Sequence, residues 1–152
     1  MKKIAFFIAI FIITFIFYNA YADINAIKNS KIEIYGVKIE KILPYIVLNI
    51  GMKIINNESR NIKELEGHFE IFILNISIGK MKFGKINVVP YSSKKLNISL
   101  IIYYDKVAES IIEIINQLNF NMTIKGKVRG KILFGLIEYE KPFEAIYRIG
   151  ES

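Results

Sequence analysis

The stretch Ile124-Lys125-Gly126-Lys127-Val128-Arg129-Gly130-Lys131-Ile132 alternates strictly, with four cations on one parity and Ile, Gly and Val on the other. A period of two is the signature of a strand with one wet and one buried face. The same alternation recurs on both sides of this segment. Upstream, Tyr45 to Ile55 puts Ile46, Leu48, Ile50, Met52 and Ile54 on one face, and Leu96, Ile98, Leu100 and Ile102 repeat the pattern. Downstream, Phe143, Ala145, Tyr147 and Ile149 follow Pro142. Further strands are expected at Lys31 to Ile42, with a bulge at Gly36 where the parity changes, at Leu65 to Leu74 and at Ile78 to Phe83. The chain reads as mainly β.

One segment breaks the rule. Val107, Ile111, Ile114 and Leu118 are spaced by four, three and four, which predicts an amphipathic helix from Lys106 to Leu118 with Asp105 capping its first turn. Seven or so strands and one helix predict a fibronectin/immunoglobulin-like antiparallel β-sandwich, with the helix covering an end or an opening.

The N-terminus is different in kind. Lys2 and Lys3 precede an uncharged run from Ile4 to Tyr18, followed by Asn19, Ala20, Tyr21, Ala22 and Asp23. This is the order of a signal peptide, and the run covers about 22 Å as a helix, or about 28 Å if extended to Ala22, against a hydrocarbon core of about 30 Å. Residues 1–22 are therefore a signal peptide or N-terminal membrane anchor, cleavage being slightly favoured. Either way, residues 23–152 form one domain that is exported, secreted or tethered on the extracytoplasmic side, because the leading lysines stay in the cytoplasm.

The 152 residues include 21 Lys plus Arg against 14 Asp plus Glu, one His, no Cys and no Trp, with 53% hydrophobic residues. A disordered chain is excluded by the apolar content, and disulfide scaffolds and thiolate metal sites by the cysteine count. Removing Lys2 and Lys3 with the leader leaves 19 basic and 14 acidic residues, a mildly cationic domain.

The order of motifs resembles the late embryogenesis abundant type 2 family, the water-stress and hypersensitive-response domain. The resemblance runs from about Ser30 to Ile149. It rests on the strand containing Gly36, IINNESRNI (54–62), FEIFILNISIGKMKFGK (69–85), VVPYSSK (88–94), LNISLII (96–102), KGKVRGK (125–131) and KPFEAIYRI (141–149). Ile78 with Gly79, Gly126 with Val128, and Pro142 with Phe143 fit the family's positions. Of its Asn-Pro-Asn motif only Asn56 is present, since Asn57 and Glu58 follow. The resemblance implies a β-sandwich without catalytic residues or cofactor, tied to stress and desiccation tolerance, with some members proposed to bind lipid or envelope components.

The candidate sites are few. Lys125, Lys127, Arg129 and Lys131 form a cationic ribbon about 20 Å long, suited to anionic lipid or an acidic envelope polymer, or else simply a solvated strand face that resists aggregation. Export and the lack of interleaved aromatics argue against nucleic acid. Glu66, His68 and Glu70 share one strand face and form a weak candidate for a divalent cation, the alternative being an ordinary wet face. Glu138 and Glu140 share another and would be needed by a carboxylate-dependent hydrolase. Asn57, Asn75, Asn97 and Asn121 begin Asn-x-Ser/Thr sequons, four where chance predicts about one, and are candidate N-glycosylation sites. The apolar helix near Ile111 to Leu118 suits core packing or, alternatively, an acyl-chain opening for a lipid-binding or lipid-transfer domain.

Overall fold

A computed structural model describes residues 1–150. Seven strands follow one long helix: α1 (Lys2–Lys28), β1 (Lys31–Lys41), β2 (Ile46–Asn56), β3 (Ile62–Ile73), β4 (Ile76–Val88), β5 (Ser92–Ile102), α2 (Glu109–Asn116), β6 (Phe120–Ile132) and β7 (Ile137–Ile149). They form two antiparallel sheets, three-stranded β1-β2-β5 and four-stranded β4-β3-β6-β7. Alternation dictates which side chains meet between them. Ile46, Leu48, Ile50, Met52 and Ile54 of β2 face Leu65, Phe69, Ile71, Met122, Ile124 and Val128 of the other sheet in a dry core. The expected bulge appears as a register shift between Ile34 and Gly36.

The inner face of β6 is bare at two points, and larger neighbours occupy the space. Phe69 of β3 and Phe143 of β7 are the cross-strand partners of Gly126, and their rings meet edge to face over it at 5.4 Å. A Cβ on Gly126 would fall on the His68 carbonyl oxygen and the Phe69 backbone. Gly130 leaves room for Ile27 of α1, whose Cδ1 would lie 2.7 Å from an added Cβ.

The elements differ from expectation in three places. The helix predicted from Lys106 to Leu118 is shorter and broken: a 3-10 turn spans Tyr104–Lys106, Val107 is extended, and α2 starts at Glu109 after Ala108. Asp105 lies in the 3-10 turn and does not cap α2. Packing explains the break, since Tyr104 and Val107 both lie against the core and the Tyr104 hydroxyl donates to the Ile42 carbonyl. Secondly, β3 and β4 are longer than their alternation suggests, because irregular registers at Ile62 to Gly67 disguise the period. Thirdly, α1 continues six residues beyond Ala22 and delivers Ala26 and Ile27 into the core. The last two residues of the expected 23–152 domain, Glu151 and Ser152, lie outside the described residues.

Gly126→Ala is expected to destabilise the fold by about 3 kcal/mol or more, because both obstructing groups are backbone. Gly36→Ala, with open space around it, should stay within about 1 kcal/mol of the parent. Urea titration of both variants in detergent micelles checks the contrast.

Candidate functional site

The outward face of β4-β3-β6-β7 gathers most of the residues singled out in the sequence. The register sets β6 cations between carboxylates of β7 and a mixed column of β3: Glu70, Lys125 and Glu144 lie in one row, Glu66, Arg129 and Glu140 in another, while Lys127 opposes His68 and Lys131 lies between Lys63 and Glu138. Lys125 comes within 3.9 Å of Glu144, Lys127 within 3.3 Å of Glu140, and Lys131 within 2.9 Å of Glu138. Arg129 bridges Glu66 at 3.3 Å and Glu138 at 3.8 Å. The ribbon is thus the central rail of a mixed-sign ladder. Such solvent-facing pairs contribute little to stability and weaken with salt.

Electrostatics on this face also bear on the carboxylates. The Lys131 ammonium holds Glu138 below its ordinary 4.5, chiefly through their hydrogen bond. That hydrogen bond and the nearby carboxylate raise Lys131 above 10.5. Glu138 is therefore tuned away from the raised value that a general acid needs. Glu66 and Glu138 approach one another only through the guanidinium between them.

Glu66, His68 and Glu70 do lie on one face, but their side chains turn to different partners. Glu66 takes Arg129, with His68 3.9 Å away, while Glu70 accepts from the Ser77 hydroxyl at 2.7 Å. Among the described residues no group of three or more His, Asp or Glu converges as metal ligands. A shallow hollow on this face is lined by His68, Glu70, Lys80, Lys82 and Lys125. Asn57, Asn75, Asn97 and Asn121 are all exposed. Ile111 and Ile115 of α2 are buried in the core, which is the packing alternative for that helix.

A second constellation, absent from the sequence reading, joins α1 to the sandwich. Asn19, Asp23, Ala26 and Ile27 fall on one helical face and are all buried. Arg60, in the β2–β3 loop, meets the Asp23 carboxylate at 3.0 Å and donates to Asn19 Oδ1 at 2.6 Å. The other Asp23 oxygen accepts the Leu133 amide at 3.0 Å, in the β6–β7 turn. Lys141 of β7 donates to the Lys28 and Ser30 carbonyls at 3.2 and 2.7 Å, satisfying orphan acceptors at the helix C-terminus. Burial pulls Lys141 below 10.5. The loop that presents Arg60 is held by Asn56, the one family Asn that matches. Its amide donates to the carbonyls of Arg60, Val88 and Val89, and its oxygen accepts the Glu58 amide. The polar pair Asn19 and Asp23, four apart at the end of an apolar run, is the signal that marks this seat.

No family model and no curated protein matches the chain. Solved structures share its fold. One is a solution structure from Arabidopsis thaliana (14% identity, 78% of this chain and 79% of that one, TM-score 0.61). Another is a protein assigned as ApaA from Bordetella pertussis (12% identity, 80% and 92%, TM-score 0.53). A solution structure described as that of a "putative late embryogenesis abundant (LEA) protein" matches less well, at 10% identity, 97% and 87% coverage and a TM-score of 0.47. At these identities the likeness concerns the fold alone.

Two measurements follow from this geometry. In carbon-detected NMR titration Glu138 should titrate below 4.5, and Lys131→Gln should return it toward that value. The pair's small contribution to stability is present above pH 4.5 and fades as pH falls through the depressed Glu138 value. It also fades at the alkaline end, as pH rises through the raised Lys131 value. Asn56→Ala should cost about 2 to 4 kcal/mol in urea titration, since it removes buried hydrogen bonds and leaves carbonyls unpaired.

Proposed function

We propose that this chain is a non-catalytic, stress-related module resembling the late embryogenesis abundant type 2 family, held on the extracytoplasmic face of a membrane by a retained α1. The observation that carries the reading is the continuity of α1 with the sandwich. The helix is long and apolar enough to cross a bilayer, and Met1 to Tyr18 are exposed, yet its last turns are part of the core. Cleavage after Ala22 would separate Asn19 from Arg60 and leave Asp23 to Lys28 as a short stub. Retention is therefore preferred to removal. The motif order from Ser30 to Ile149 supports the stress-related module, and the shared fold supports the β-sandwich that the resemblance implies.

The competing readings have less to stand on. Hydrolysis would need one carboxyl kept protonated, and Glu138, pushed the other way by Lys131, does not supply that acid. Acyl-chain carriage would need an opening at α2, where Ile111 and Ile115 are instead buried in the core. Because β6 is an interior strand and its cations are paired with carboxylates, the ribbon serves as an ordinary solvated sheet face and guards no edge.

Expressed with its own N-terminus, the protein should remain in the membrane fraction after alkaline carbonate washing and show a mass that includes residues 1–22. A processed, freely soluble extracytoplasmic protein would overturn the anchor. For the stress role, vesicles carrying the chain should lose less trapped dye on drying and rehydration than empty vesicles. Equal leakage would count against it.

A further inference from the structure

We infer that the end of the sandwich from which α1 leaves is a bilayer-docking rim, with the β6–β7 and β4–β5 turns seated at headgroup depth. This rests on the reading of α1 as a membrane anchor and specifies how the domain sits upon it.

Helix length forces the contact. From Ile4, a hydrocarbon core of about 30 Å extends over about 20 residues of helix, to the level of Asp23. Asn19, one turn earlier, already touches Arg60 of the domain. No stalk separates helix from sandwich: α1 ends at Lys28 and β1 begins at Lys31. The domain is thus drawn down onto the membrane surface. The Asp23 contacts with Arg60 and Leu133, with Ile27 seated on Gly130, fix which end faces it.

The side chains at that end suit the position. Phe134 shares a hollow with Asn19, Asp23 and Arg60, and stands 63% exposed. Leu136 is 81% exposed in the same turn, and Tyr91 74% exposed in the neighbouring β4–β5 turn. Leu133, Phe134 and Tyr91 adopt positive φ, a costly conformation for residues with a Cβ, and Phe134 and Tyr91 stand exposed there. Lys63, Glu64 and Lys131, the last paired with Glu138, border Phe134 in a second hollow. Exposed aromatic and leucyl tips among polar side chains match the interfacial zone of a bilayer. Tyr21 of α1, two residues before Asp23, is also exposed.

The absence of native Trp makes the test direct. Phe134→Trp and Leu136→Trp place single reporters on the rim. Tyr103→Trp, 51% exposed in the native chain, places one at the far end, about 40 Å away along the strands. Each full-length variant is reconstituted into phosphatidylcholine/phosphatidylglycerol vesicles, with and without lipids brominated near the headgroup. The rim reporters should shift to the blue and lose emission to bromine, while the Tyr103 reporter should do neither. Vesicle flotation separates the two readings. Protein that floats but whose rim reporters are unquenched overturns the docking rim and leaves the anchor intact; protein that fails to float overturns the anchor and the rim with it. Blue-shifted but unquenched rim reporters, with dimers captured by crosslinking, would assign the rim to a second copy and overturn the bilayer assignment.

Discussion

Close approach across a strand without side chains is the constraint on which this molecule depends. The inner face of β6 is empty at Gly126 and Gly130. Phe69 and Phe143 close over the first vacancy and Ile27 enters the second, so one strand aligns its own sheet and receives the N-terminal helix. The opposite face of the same strand is spent on charge. Two functions of a single alternating segment, packing inward and solubility outward, are separated by nothing more than the pleat.

The outer face illustrates how a sheet changes the meaning of a one-dimensional pattern. Along the chain Lys125, Lys127, Arg129 and Lys131 look like a strip of uncompensated charge. Across the sheet they alternate with Glu66, Glu70, Glu138, Glu140 and Glu144, which arrive from β3 and β7. Neutralisation is a property of register, and register is set by turns far from the lysines. The same register keeps the Glu138 carboxyl beside Lys131 and away from acid chemistry.

Periodic features were legible in the sequence and long-range ones were not. Strand parity, the phase change at Gly36 and the sandwich class all follow from alternation, because burial on one face is a local pattern. The break before α2 is not legible in the sequence because Val107 fits a helical spacing as well as an extended turn, and only the contacts of Tyr104 and Val107 with the core decide between them. The seat for α1 was hidden for a stronger reason. Asn19 and Asp23 read naturally as the polar boundary of a leader; their partners Arg60 and Leu133 lie 41 and 110 residues away in the chain. Asn56 was recognised from its motif, whereas its task of tying the Arg60 loop to Val88 and Val89 emerges only from the fold.

The ties between the first helix and the last strands also impose an order on assembly. During synthesis α1 emerges long before Leu133 and Lys141 have been made, so the groups that hold its end do not yet exist. Until the final hairpin is complete, Arg60 is the one partner made for the helix's polar side, and Asp23 lacks the Leu133 amide. Docking of the opening segment is then a closing act of maturation, and chains truncated before that hairpin would keep the helix yet never secure it.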